Sequence, residues 1–156
     1  MAKATPATRA LDQAKVAYDL RTYDYDPEAP SIGLQAAMSL GEPPARVLKT
    51  LIAKVDTRYV CVVLASDREV SMKALAAACK GKSAEMAKPA DAERMSGYRI
   101  GGVSPFGQKK PLPTVLDQPS LEQAKVFVNG GQRGLQIELD PREILRVLGA
   151  VAATIS

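Results

Sequence analysis

The residues best placed to do chemistry are one lysine on an apolar strand and two glycine pairs. In Leu48-Lys49-Thr50-Leu51-Ile52-Ala53, the two-residue period of a strand puts Lys49 on the same face as Leu51 and Ala53. An ammonium there either snorkels out at the strand end or points into a cleft, where desolvation strengthens its pull on a carbonyl or phosphate oxygen. Gly101-Gly102, followed by Val103-Ser104-Pro105, can bring backbone N–H groups against a ligand as an oxyanion hole or anion nest. A β-bulge or a plain turn would call for the same residues. Asn129-Gly130-Gly131 repeats the theme, with a hairpin turn as its ordinary reading.

Composition narrows the chemistry further. The chain has no histidine, which removes Ser-His-Asp and Cys-His catalysis, the usual zinc sites and the commonest general base near neutral pH. Lysine, carboxylates, tyrosine, hydroxyls, backbone amides or the substrate itself must carry any reaction. The two cysteines form no disulfide framework. Cys61 lies inside YVCVVLA, and Cys79 follows Met72, Leu75 and Ala76 at helical spacing, so both read as small buried hydrophobes, with a reactive thiol as the alternative. The net charge of +4 is spread unevenly. Arg94, Arg99, Lys109 and Lys110 lie between Glu93 and Asp117 with no carboxylate among them. Lys125 and Arg133 lie likewise between Glu122 and Glu138, and Arg46, Lys49 and Lys54 between Glu42 and Asp56. Such windows suit a polyanion or a merely solvated surface.

The elements that must hold these residues are short and interleaved. Thr5-Pro6 opens a helix to about residue 16, with Leu11 and Ala14 inward. YDLRTYDY (18–25) alternates like a strand, and Ser31 caps a short helix ending at Gly41. Pro43-Pro44 breaks the chain, with room for one further helical turn. LKTLIAKV (48–55) and RYVCVVLA (58–65) flank Asp56-Thr57 as a hairpin, and Ser71 caps the helix that carries Cys79. Further strands are expected at 83–87, 98–103, 114–116, 125–128 and 135–139, with a helix from Pro89 to Gly97. Asp140-Pro141-Arg142-Glu143 resembles a capping box, and Ile144, Leu145, Val147, Leu148 and Val151 form the apolar stripe of the last helix. With 156 residues and no repeat, linker or low-complexity tract, the expectation is one α+β domain over 1–156, a mixed sheet with helices packed around it. No apolar run spans a bilayer and MAKATPATRALDQ has no apolar signal core, so no membrane association is expected and the cytoplasm is the default location.

Several stretches together resemble the YbaK/EbsC family, relatives of the editing domain inserted in bacterial prolyl-tRNA synthetases. They are TPATRALDQAKV, TYDYDP (22–27), VLKTLIAKV (47–55), AEMAKPADAERMSGYRIGGVSPFGQKKPLPTVLD (84–117) and VNGGQRGLQIELDP (128–141), and they span nearly the whole chain. The resemblance implies a mostly antiparallel, partly closed sheet and a trans-editing deacylase that cleaves a wrong amino acid from the 3′ end of a tRNA. Cysteine on tRNA(Pro) is the foremost substrate, prolyl-tRNA synthetase a possible partner, and neither cofactor nor metal is expected. It makes Lys49 and the Gly101 backbone the catalytic groups. Tyr23, Ile32, Thr50, Gly102, Ser104, Asn129, Gly130 and Gln136 become the substrate-binding set, and Lys109, Lys110 and Arg133 are assigned to tRNA phosphate. The chain departs from the YbaK pattern at three of these positions: Ile32 replaces phenylalanine, Asn129 serine and Gln136 aspartate. The last change removes a negative charge, so a partner cation would be less well compensated.

An aminoacyl ester is already activated, so such a site needs no strong base. Lys49 could anchor the ester or the terminal adenosine while the Gly101 amide meets the developing oxyanion. A cysteinyl substrate could use its own thiol as nucleophile; otherwise a water oriented by the tRNA 2′-hydroxyl would attack. The rival expectations are deacylation of another small amino acid, a non-catalytic tRNA or synthetase adaptor on the same fold, and a nucleotide-binding module, for which no Walker or Rossmann spacing is present.

Overall fold

The computed structural model describes residues 4–29 and 31–156, and the side chain of Ile32 also lies outside the description. Its centre is the hairpin of β2 (Leu48–Val55) and β3 (Arg58–Ala65), in continuous register from Leu48 opposite Ala65 to Val55 opposite Arg58. The turn works because Asp56 adopts a left-handed conformation, φ 54°, and its carboxylate accepts hydrogen bonds from the N–H groups of Lys82 and Ser83.

Around this hairpin, β4 (Ala84–Met86) pairs antiparallel with β2, β5 (Thr114–Asp117) parallel with β3, and β8 (Val151–Ala153) parallel with β5. A second sheet of β1 (Asp19–Thr22), β7 (Leu135–Leu139) and β6 (Val126–Asn129) is antiparallel, with β7 in the middle. The run YVCVVLA is apolar throughout because both faces of β3 are covered. Cys61, Val63 and Ala65 join the core that includes Val126, Val128, Ile137 and Leu139 of the second sheet. Val60, Val62 and Leu64 pack with Leu75 and Ile155.

Among the described residues five α-helices surround the sheets. In α1 (Pro6–Gln13), Thr5 and Thr8 form a reciprocal capping box, and the Thr5 hydroxyl also donates to Gly130 O at 2.6 Å, docking the helix start on the β6–β7 turn. Then come α2 (Ile32–Leu40), capped by Ser31 and ended by Gly41, α3 (Met72–Ala78), α4 (Pro89–Ser96) and α5 (Arg142–Leu148). The expected turn after Pro43 is a 3₁₀ turn, Pro44–Arg46. Among the described residues no helix is long and apolar enough to cross a membrane.

The α+β class and mixed pairing agree with expectation, with four corrections. The single partly closed sheet is two open sheets, because among the described residues only one bridge, Val47 to Phe127, joins them. Residues 98–103 form a turn rather than a strand: Gly102 N donates back to Arg99 O and Gly101 has φ 92°. Val151 belongs to β8 and is 58% exposed, since Gly149 (φ 61°) ends α5 before the apolar stripe reaches it. The capping box at Asp140 is half formed: Asp140 accepts from Arg142 N, while Glu143 is drawn off to Arg146.

Candidate active site

The site lies at the seam between the sheets, where β2 begins. β4 pairs only with Ala53–Val55, so the edge of β2 is open over residues 48–51. That is why Lys49 and Thr50, which point to opposite faces, both line one pocket. The pocket holds about 260 Å³ and is walled by Ser31, Gly33, Leu48, Lys49, Thr50, Leu51, Ile100, Gly101, Val103 and Asn129. This is slightly below the usual range of small-ligand sites.

Lys49 is half-buried, and among the described residues no carboxylate pairs with it directly. Burial lowers its pKa below the ordinary lysine value, and the more distant Glu69 and Asp67 pull it partly back. In its charged form the group is poorly solvated, so its interaction with an incoming oxygen is strengthened.

Opposite Lys49 the 99–102 turn is held by three hydrogen bonds to consecutive carbonyls. Gly102 N donates to Arg99 O (2.8 Å), Arg133 Nε to Ile100 O (2.9 Å) and Asn129 Nδ2 to Gly101 O (3.2 Å). Asn129 also accepts, through Oδ1, from Gly131 N (2.7 Å) and Gln132 N (3.1 Å), so one side chain clasps the two glycine-rich loops together. Among the described residues the Gly101 N–H has no hydrogen-bond partner, which leaves a backbone donor beside the pocket. Glycine is required at 101, because its φ of 92° is strained for any other residue and a Cβ would lie 2.7 Å from the Tyr25 hydroxyl oxygen.

Among the described residues the buried oxygens Tyr23 Oη, Thr50 Oγ1 and Gln136 Oε1 have no hydrogen-bond partner, and Thr50 lines the pocket. Burial raises the Tyr23 pKa. The Gly134 backbone and the Gln136 carboxamide counter this, yet neither reaches ordinary hydrogen-bond geometry with the hydroxyl. Leaving such groups unsatisfied costs about 1–3 kcal/mol each. Gln136 faces Asn129 across the β6–β7 ladder.

The structure therefore brings Lys49, Thr50, Gly101 and Asn129 to one pocket, whereas Tyr23 and Gln136 are not part of its wall. Other expected site residues lie elsewhere. Ser104 is fully buried, and its hydroxyl accepts from Phe106 N inside its own loop, so it does not line the pocket. Gly130 is a hairpin residue, bonded to Leu135 O and Thr5. Gly102 and Arg133 border a second cavity, and Lys109 packs over Gly97 at its rim, with Lys110 beside it exposed to solvent. Ile32 starts α2, but its side chain is outside the described structure. Sequence reasoning missed Gly33 and Ser31. A glycine inside a short helix was the available signal: a Cβ at 33 would press within 2.8 Å of Ser66 Cβ, so only glycine lets α2 close over Lys49. Burial sets Cys61 aside, its pKa pushed up to about 12; Cys79, expected to be buried as well, is only partly so, though partial burial still raises its pKa. Among the described residues no three metal-ligating side chains gather.

Residues 26–147 match the aminoacyl-tRNA editing domain family. The Enterococcus faecalis protein EbsC, named as a candidate Cys-tRNA(Pro)/Cys-tRNA(Cys) deacylase, is 35% identical over 154 residues, 97% of this chain and 93% of that one. This chain belongs to the aminoacyl-tRNA editing domain family. A proline–tRNA ligase of Caldicellulosiruptor bescii is 35% identical over 68 residues, 44% of this chain but 12% of the ligase. In fold, the chain superposes on a crystallised candidate trans-editing enzyme for prolyl tRNA synthetase with a TM-score of 0.80, at 22% identity and 99% coverage of both chains.

Proposed function

We propose that this protein is a trans-editing deacylase that frees a mischarged amino acid from tRNA, with cysteine on tRNA(Pro) its foremost substrate. The observation that carries this reading is that Lys49, poorly solvated and among the described residues without a direct counter-ion, lines one small pocket together with Gly101, whose N–H has no partner among those residues. The names of EbsC and of the crystallised neighbour point the same way. Lys49 draws the ester or terminal ribose oxygens inward, and the Gly101 amide receives the negative charge that grows on the carbonyl oxygen. With a cysteinyl ester, the substrate sulfur bonds to the carbonyl carbon and the ester C–O bond breaks. The thiol proton passes to the departing 3′-oxygen, leaving a thiolactone and free tRNA. This makes the step a cyclising lyase reaction for cysteine, and a hydrolysis for a residue without a thiol.

The pocket's size and its lack of a carboxylate wall favour a small aminoacyl group. Basic side chains bind phosphate without reading sequence, so choice among tRNAs falls to a partner such as prolyl-tRNA synthetase. The test is a panel of labelled tRNA(Pro) species carrying cysteine, alanine, serine or proline. Loss of cysteine with appearance of thiolactone supports the reading. Tight tRNA binding with no release of any amino acid would establish an adaptor instead.

A further inference from the structure

The peptide that carries the unpartnered Gly101 N–H also carries the Ile100 carbonyl, and that carbonyl accepts from Arg133 Nε at 2.9 Å. The bond is trans, so its C=O and N–H lie in one plane and point in opposite directions. A donor that pins the oxygen therefore also sets the direction of the hydrogen and turns it away from itself. The two sides of this plane belong to different spaces. Ile100 and Gly101 line the pocket that holds Lys49, whereas Arg133 lines the second cavity with Tyr98, Arg99 and Gly102. Although Arg133 is exposed, its guanidinium is braced 5.1 Å from the centroid of the Tyr25 ring. Among the described residues it forms no ion pair, so no carboxylate draws its Nε away from Ile100 O.

We infer that Arg133 is a positioning residue for the proposed deacylation and acts through the Ile100–Gly101 peptide. It aims the Gly101 N–H toward the pocket and strengthens it as a donor to the oxyanion. A charged donor makes a stronger bond than a neutral one, and a hydrogen bond accepted by a peptide oxygen polarises the N–H of the same peptide. Support of this kind is needed because glycine restrains its own dihedrals least, and Gly101 must hold φ 92°. Asn129 Nδ2 fixes only the following peptide, through Gly101 O at 3.2 Å. The inference rests on the deacylase reading above, and it gives Arg133 a part other than the tRNA-phosphate contact assigned to it from the sequence.

Single-turnover kinetics on Cys-tRNA(Pro) separate the two parts. Arg133→Ala should lower the maximal rate about 10- to 100-fold, while the half-saturating concentration and its salt dependence stay as in the wild type. Ethylguanidinium added to that variant should restore part of the rate, and ethylammonium none. Tyr25→Leu, which removes only the brace, should show the same loss to a smaller degree. Lys82→Ala, which deletes a positive charge at the far end of the β2–β3 hairpin, should change nothing. A full maximal rate in Arg133→Ala would overturn the proposal. So would a defect confined to half-saturation with the slope of log K against log[salt] reduced by about 0.7, which would make Arg133 a phosphate contact. A second readout is independent of activity: the Gly101 amide ¹⁵N resonance should move upfield in Arg133→Ala, because the preceding carbonyl loses its donor, and stay in place in Lys82→Ala. If the wild type releases no amino acid, the proposed activity fails by itself. The moved resonance then still supports control of this peptide by Arg133, and an unmoved one refutes it.

Discussion

Lys49→Met separates the proposed catalytic role of the ammonium from any structural one, because methionine keeps most of the volume and discards the charge. The lysine is half-buried, directly unpaired and shifted toward its neutral form by burial. Between its lowered folded pKa and the ordinary lysine value, the folded chain binds fewer protons than the unfolded one. Stability therefore rises with pH across that window, and below it the full cost of holding the charge is present. Methionine removes that cost. After allowance for solvent screening, Tm should hold or rise slightly. The same change deletes one preorganised electrostatic partner of the reacting ester, which costs about 10²–10³ in rate. Single-turnover release of cysteine from Cys-tRNA(Pro), corrected for spontaneous hydrolysis, measures the second effect, and calorimetry at pH 7 the first. The wild-type rate should also decline as pH climbs through the lowered lysine pKa, earlier than a free lysine would allow. A variant that keeps its rate within threefold would refute the catalytic assignment. A variant that loses both rate and several degrees of Tm would mean the lysine is there for the fold.

Three further perturbations address the surroundings. Gly101→Ala must adopt φ near 92° and place its Cβ 2.7 Å from the Tyr25 hydroxyl oxygen; it should lose about 1–3 kcal/mol in urea unfolding and at least 10² in rate. Near-normal values of both would mean the backbone there is not a fixed donor. Replacing Cys61 and Cys79 together by alanine should leave the single-turnover rate unchanged, with stability lowered by about 1 kcal/mol through the space left at Cys61. A hundredfold loss of rate in a folded double variant would make one thiol the nucleophile. Tyr23→Phe deletes a buried hydroxyl that has no partner, so Tm should hold or rise slightly while KM for the charged tRNA increases. A lower Tm with unchanged KM would show that the hydroxyl serves the fold.

Much of this architecture was legible in the chain because its cues are local. Thr5, Ser31 and Ser71 cap helices where a side-chain oxygen precedes an apolar run, and Gly41 and Gly97 end helices in the left-handed conformation. The Asp56 hairpin follows from two apolar runs and the turn between them. Where local cues met long-range partners, the reading failed. Tyr98 to Val103 alternates like a strand, yet among the described residues it has no strand to pair with, and Asn129, Arg133 and its own Gly102 N–H donate to its carbonyls instead. Val151 continues a helical stripe in sequence, but Gly149 breaks the helix and β5 recruits the residue into the sheet. Ser104 had the right chemistry and the right neighbours in sequence; its loop folds inward, so the hydroxyl is spent on Phe106 N.

What the sequence determined by itself was the inventory: no histidine, one lysine on an apolar strand, and glycines where backbone must come close. Period, capping and composition are properties of neighbouring residues, so they survive without coordinates. Only the tertiary structure decided which of those residues meet. Lys49 and Gly101 share a pocket because β4 stops short of the start of β2, α2 closes over it through Gly33, and Asn129 ties the two glycine loops into one wall. Each of those contacts joins segments far apart in the chain, and no local pattern encodes a distance between them.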